Sequence, residues 1–365
     1  MTSKTAPTGA VKICVIAGET SGDVLGGRLM AALKKISCSP VEFLGVGGGK
    51  MREQGLDSFF PMTDLSIMGI SEVLPQIPKI LKRINETVAY IKLAKPDAVV
   101  TIDSPDFSLR VAKRLYPSNA RLIHYVAPSV WAWKAWRARR MSRFLDHVLT
   151  LFHFEPPYFQ SAGLKSKFVG HPILESGAGR GNGERFRSVN GIPTDAILIC
   201  ILPGSRLFEV TKHLPIMEQT LGFLQKQVGI CEVIIPLADN VSTYVKATVG
   251  EWPIKVNFAE GDKEKHDALA ASNAALAASG TVSLELAMAG VPYVTIYKMK
   301  ALSNLLAKMM VKLKYVNIIN ILLDEEVVPE LLLEKCKPHL ISPHLLRCLN
   351  DQEFKSKQRK KFLIA

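Results

Sequence analysis

The chain has 365 residues, 48% of them hydrophobic, and six cysteines with no C-x-x-C pair. This length and apolar content exclude a disordered chain and point to two domains of roughly 100–200 residues each; the scattered cysteines fit free thiols in a reducing compartment better than disulfides or zinc. The formal charge of +13 calls for an anionic partner, with nucleic acid, anionic lipid and phosphorylated substrate all open at this level.

No apolar run approaches the roughly 18–20 residues of a membrane span, and residues 13–17 are too short for a signal-peptide core, so a cytosolic protein is expected. Residues 11–17 form a near-continuous apolar strand, residues 18–23 a polar turn and residues 24–35 a helix. Such buried strands alternating with helices predict a doubly wound α/β domain. A second strand at 42–46 ends in Gly47-Gly48-Gly49-Lys50, where Met51 stands in place of the Ser or Thr of a phosphate loop, so it reads as a glycine-rich turn. Residues 66–84 are amphipathic and basic, and Pro75 and Pro78 predict a broken helix there. Strands follow at 98–102, 122–126, 147–151 and 167–171.

Residues 177–190 are rich in glycine and arginine without an apolar period, and are expected as a linker between a first domain, 1–176, and a second, 191–345, with a helical tail at 346–365. The second half restarts the alternation: a strand at 196–202, Pro203-Gly204-Ser205-Arg206, a helix at 209–227, a strand at 232–236, and a strand at 274–278 leading into Ser279-Gly280-Thr281. Two such halves imply a cleft between them.

Ligands of open α/β sheets bind at the carboxyl ends of strands, which singles out several loops. Ser279, Gly280 and Thr281 precede a helix whose first turns carry Glu285, a layout suited to phosphate and ribose hydroxyls; the plain alternative is a helix capped by Ser279. Ser205 and Arg206 stand where a guanidinium could fork onto a phosphate, or where an arginine simply caps the next helix. Asp103 and Asp106 follow a strand of the first half; either could act as a general base, Asp106 more readily, while Asp103 could cap its turn. Their spacing does not match a metal turn, and no Cys/His cluster exists. Glu19, Ser21 and Asp23 form a polar loop at the end of the first strand, with Ser21 a natural N-cap. His124 and His171 read as core histidines. Trp131, Trp133 and Trp136, interleaved with Arg137, Arg139, Arg140 and Arg143, could stack bases, sit among lipid headgroups or be partly core. A second basic amphipathic run at 298–314 favours the membrane.

Gly18-Glu19-Thr20-Ser21-Gly22-Asp23, Ile102-Asp103-Ser-Pro-Asp106-Phe107, His124-Tyr-Val-Ala-Pro-Ser-Val-Trp-Ala-Trp133, Leu202-Pro-Gly-Ser-Arg206 and Ala278-Ser-Gly-Thr281 with Glu285 together resemble the lipid-A-disaccharide synthases, in order from about residue 11 to 340. The resemblance implies a GT-B fold of two Rossmann-like domains and an inverting transfer from UDP-2,3-diacylglucosamine to 2,3-diacylglucosamine 1-phosphate (lipid X). Ser205, Arg206, Ser279, Gly280, Thr281, Glu285 and Asn320 would hold the UDP-sugar, Glu19, Ser21 and Asp23 the acceptor, and Asp106 would be the base. It implies no obligatory metal or cofactor, a peripheral position on the cytosolic face of the inner membrane, and is compatible with a homodimer. Two departures stand out: Ile319 precedes Asn320 where the family leads one to expect proline, and the chain stops at Ala365, short of an expected closing helix. A UDP-sugar 2-epimerase of the same fold would share the Ser-Gly-Thr…Glu loop but leaves the Trp-rich basic surface unexplained. A nucleic-acid partner is not expected, since the charge clusters on no DNA-binding motif.

Overall fold

The structure is a computed structural model and describes residues 9–65, 70–132, 135–229, 231–298 and 314–365. It divides into two units, Met1–Pro172 and Ile173–Ala365.

The first unit is built on six parallel strands: β1 (Val11–Ala17), β2 (Val41–Val46), β3 (Ala98–Ile102), β4 (Arg121–Tyr125), β5 (His147–Thr150) and β6 (Lys165–Phe168), in the order β2-β1-β3-β4-β5-β6. Residues of β1 alternate between two apolar layers. Cys14 and Ile16 pack with Phe107 and Val111 on one face, and Val15 and Ala17 with Met30 and Met51 on the other. A strand covered on both faces is apolar along nearly its whole length, here from Ile13 to Ala17, which is why it was legible in the sequence. Burial pushes the Cys14 thiol up to about 12, so it is an inert core group.

The second unit holds β7 (Ile197–Leu202), β8 (Cys231–Pro236), β9 (Val256–Ala259), β10 (Ala274–Ala278), β11 (Tyr293–Tyr297) and β12 (Glu330–Leu332). Their order is β12-β11-β10-β7-β8-β9. In both sheets the winding direction reverses at one place, between β1 and β3 in the first and between β7 and β10 in the second. The crevice at such a reversal is where doubly wound sheets bind ligands.

Three expectations change. The stretch 177–190 is not a free linker: its helix Gly183–Val189 lies in the second unit, with buried Arg187 donating to the carbonyls of Ala271, Pro193 and Ala196. The segment lacks an apolar period because polar bonds secure it. The helix Ile70–Ala94 runs on through Pro75 and Pro78; its later turns pack Ile84 and Ile91 into the core, and tertiary packing outweighs local propensity. The boundary at 345 falls inside the helix Pro338–Asn350, and the following helix Gln352–Phe362 belongs to the second unit's body, its buried Gln358 hydrogen-bonded to both backbone groups of Tyr293.

Candidate active site

In the second unit β7 and β10 are neighbours, with Leu202 level with Ala277, so the loops 203–206 and 279–281 leave adjacent strand ends. The helix Leu207–Val228 starts at Arg206, which occupies its N-cap. Glu209, 5% exposed, turns back so that its Oε2 accepts from the backbone N–H of Ser205 at 3.2 Å and of Arg206 at 3.3 Å, and its Oε1 from the Arg206 guanidinium at 3.2 Å. Gly204 is required here: its φ is +116°, and a Cβ would lie 2.6 Å from Glu209 Oε2. His213 locks the preceding peptide. The Lys298 N–H donates to its Nε2, so Nδ1 carries the proton and donates to the Pro203 carbonyl at 2.7 Å. Arg206 thus begins the helix, as the capping reading expects, and its side chain, 62% exposed, extends outward from a buried carboxylate.

The second loop differs from the expectation in one respect. Thr281, not Ser279, occupies the N-cap of the helix Val282–Met288, while Ser279 donates its hydroxyl to the Val316 carbonyl. Among the described residues the backbone N–H groups of Gly280 and Thr281 have no hydrogen-bond acceptor, and both residues are exposed. Glu285 pairs through Oε2 with Lys265 at 2.5 Å.

Asn320, expected against the UDP-sugar, is fully buried and fully committed. Its Oδ1 accepts from Val327 and Val328, and its Nδ2 donates to the Val328 carbonyl and to Glu330. It fixes the loop into β12 and has no capacity left for a ligand. Ile319, in the proline position, donates its N–H to Asn317 Oδ1 at 2.9 Å, a bond proline could not make.

In the first unit, Ala17 of β1 is level with Ile102 of β3. The helix Thr20–Ile36 is capped at Glu19, which places Ser21 within the first turn rather than at the cap. Beyond β3, Asp103 and Ser104 adopt φ of +51° and +43°, and Val126 after β4 adopts +70°. Left-handed geometry at three non-glycine residues on one sheet edge is strain of the kind that gathers at functional sites. The turn is cross-braced: Asp103 Oδ1 accepts from Ser104 N–H at 2.8 Å, and Ser104 Oγ donates to Glu19 Oε1 at 3.2 Å. Burial raises the Asp103 carboxyl above its usual range, opposed by hydrogen bonds from Ser104 and the Ser21 hydroxyl. Asp106, in the first turn of the helix Pro105–Leu115, is exposed, and its carboxylate makes no hydrogen bond or ion pair among the described residues. Asp23 stands apart from these. It is 4% exposed, and its carboxylate accepts from the backbone of Gly48, Lys50 and Met51, so it builds the glycine turn rather than a ligand surface.

His124 is buried with Nδ1 against Thr101 Oγ1, but among the described residues its Nε2 has no partner. His171 is partly buried and packs beside the Phe152 ring. Trp131 donates to Glu155 and meets Phe154 edge-on, whereas Trp136 is 55% exposed; Trp133 and the run 299–313 lie outside the described residues.

A family model described as lipid-A-disaccharide synthetase matches residues 13–363. The chain belongs to the lipid-A-disaccharide synthetase family. A lipid-A-disaccharide synthase of Rhodospirillum centenum is 50% identical over 348 residues, covering 95% of this chain and 87% of that one. One from Paramagnetospirillum magneticum is 46% identical over 350 residues, covering 95% and 90%. Among solved structures, a UDP-GlcNAc 2-epimerase from Neisseria meningitidis bound to UDP-GlcNAc matches with a TM-score of 0.64 at 13% identity, over 97% of this chain and 98% of that one. MurG of Acinetobacter baumannii matches at 0.54 and 16% identity, over 96% and 95%. This lipid-A-disaccharide synthetase family member thus has the GT-B fold and is a glycosyltransferase of lipid A biosynthesis.

Sequence reasoning about this family member passed over Glu209, Lys265, Asn317 and Glu155. Glu209 had a signal, since it stands three residues after the N-cap as in a capping box. Asn317 stands just before an apolar run, the usual place for an N-cap. Lys265 had none, because its partner Glu285 is brought near only by the fold; Glu155 joins the local amides of Leu151 and Phe152 to the more distant Trp131.

Proposed function

We propose that the protein transfers 2,3-diacylglucosamine from UDP-2,3-diacylglucosamine to the 6-hydroxyl of lipid X, giving the β(1→6) disaccharide 1-phosphate and UDP with inversion. The observation that carries this reading is the pair of loops at the β7/β10 reversal: an anchored, outward-facing Arg206 next to unoccupied amides at Gly280 and Thr281. That set suits a diphosphate, and the epimerase sharing the fold was solved with UDP-GlcNAc. Glu285, with one oxygen on Lys265, would accept from the ribose hydroxyls.

In the first unit, Asp106 would take the proton of the 6-hydroxyl as its oxygen attacks the anomeric carbon, a contribution of typically ~10²–10⁴ in rate. Its exposure and lack of partners support this role; Asp103, braced by Ser104 and Ser21, would shape the turn. UDP departs from the opposite face of the sugar. The charge developing on its β-phosphate would be met by Arg206 and the two amides, preorganised donors that need no reorientation during the reaction. Among the described residues no helix is long and apolar enough to cross a membrane; with acylated substrates and a charge of +13, the enzyme would work as a peripheral protein on the cytosolic face of the inner membrane.

UDP release from detergent-dispersed UDP-2,3-diacylglucosamine, followed with and without lipid X in EDTA, tests this. Release should require lipid X, persist in EDTA, and fall by two to four orders of magnitude in Asp106→Ala while UDP still binds. Release without acceptor, or inversion at the donor's C2, would refute it.

A further inference from the structure

Trp136, Arg137 and Arg140 of the helix Trp136–Met141 do not form a flat surface. With Arg110, Lys113 and Arg114 of the helix Pro105–Leu115 they line one cavity of about 580 Å³, within the size range of small-molecule pockets. Five cationic groups surround it, and Asp106 is its one acidic group. Several other cations of this unit sit in carboxylate pairs, as Arg83 does with Asp64 and Glu86, and Arg121 with Asp146. Among the described residues only Arg114 of these five has a side-chain partner, the neutral Asn85 at 2.8 Å, and no carboxylate pairs with any of them.

Uncompensated guanidiniums on two helices with an aromatic wall from Trp136 and Phe144 suit an anion carried on an amphiphile. The sequence spacing sets where the anion would sit. Asp106, Arg110 and Lys113 share one face of their helix, and Arg110 lies about 6 Å of rise beyond Asp106, the scale of one pyranose ring. We propose that this cavity is the acceptor's phosphomonoester pocket, with Arg110, Arg137 and Arg140 gripping a phosphate on C1 while Asp106 meets the hydroxyl at the ring's other end. The assignment rests on the transferase reading above and adds to it the origin of selectivity for a 1-phosphorylated acceptor.

Two arms test it. In the first, binding of glucosamine 1-phosphate and of glucosamine to the full chain is measured by calorimetry for wild type and for the double variant Arg110→Gln, Arg140→Gln. Wild type should prefer the phosphate, and the variant should lose that preference on the order of 10- to 100-fold per guanidinium; Arg140→Lys, which keeps the charge but not the fork, should fall between. Equal binding of the two sugars by wild type, or an unchanged preference in the variant, overturns the proposal even if no turnover is ever seen. In the second arm, the acceptor KM should rise in the variant with the donor KM unchanged, and sedimentation with phosphatidylglycerol vesicles should be retained. Loss of vesicle binding with acceptor KM intact would reassign the cavity to a lipid headgroup. Failure of the transferase reading would instead show as absent transfer in wild type with the phosphate preference intact.

Discussion

Glu209 is nearly sealed from solvent, yet its two oxygens meet the amides of Ser205 and Arg206, the Arg206 guanidinium and the Tyr297 hydroxyl. It does two things at once: it satisfies donors at the start of a long helix, and it sets the direction of Arg206, the arginine proposed to meet the diphosphate. Glu209→Ala leaves those donors unpaired, so the helix start should lose about 1 kcal/mol and the arginine its orientation. The expected result is a rise of about tenfold in UDP dissociation constant, equivalent to ~1.4 kcal/mol, measured by calorimetry, with a smaller fall in kcat. An unchanged UDP affinity would separate Arg206 from the nucleotide. At this scale the sequence was informative about position and poor about role. Arg206, Thr281 and Asp106 were found at strand ends because strands and turns are local. Asp23 and Asn320 stood in equally plausible loops, but their oxygens answer backbone N–H groups, and a polar residue's letter does not say whether it faces a ligand or the chain itself.

The element that closes the second unit shows the same limit on a larger scale. Gln358, fully buried on the helix Gln352–Phe362, accepts from the Tyr293 N–H at 3.0 Å and donates to the carbonyls of Tyr293 at 3.2 Å and Val327 at 3.1 Å. One side chain thereby supplies the first peptide of β11 with the partners a neighbouring strand would give. Gln358→Ala strands buried backbone groups, each costing about 1–3 kcal/mol, and should lower the urea midpoint of the second unit while leaving phosphate binding by the first unchanged. A midpoint within error of wild type would make the helix an ornament rather than part of the unit. Nothing in a lysine-rich, weakly apolar segment announces such a role, so it read as a tail. β9, β11 and β12 were missed: β9 and β12 are short and partly exposed, and β11 is buried yet carries Thr295 between two tyrosines, whereas β1, β3, β7 and β10 are buried on both faces and read as near-continuous apolar runs.

Across the whole molecule, buried histidines tie stability to pH. Burial, with the nearby charge of Arg137, holds His124 down to about 4, and burial alone holds His171 at about 4, both in the first unit; His213 and His344 are lowered in the second. A group whose folded pKa is depressed binds fewer protons folded than unfolded. Its contribution is therefore complete above the unfolded value near 6.5 and is lost as pH falls from there toward 4. For His124 the drop from 6.5 to about 4 is worth on the order of 3 kcal/mol. Asp103, raised by burial, works in the opposite sense, but only near and above its own lower unfolded value, so between pH 7 and 5 the histidines dominate. Urea unfolding of the full chain should show its midpoint falling steadily from pH 7 to pH 5, with added protons also increasing a net charge that is already +13. His124→Gln separates the two causes. Charge repulsion spread over the surface would persist in that variant, whereas the penalty for charging one buried imidazole would vanish and flatten the first unit's pH slope. A slope unchanged by His124→Gln, but reduced by added salt, would assign the acid sensitivity to the surface instead.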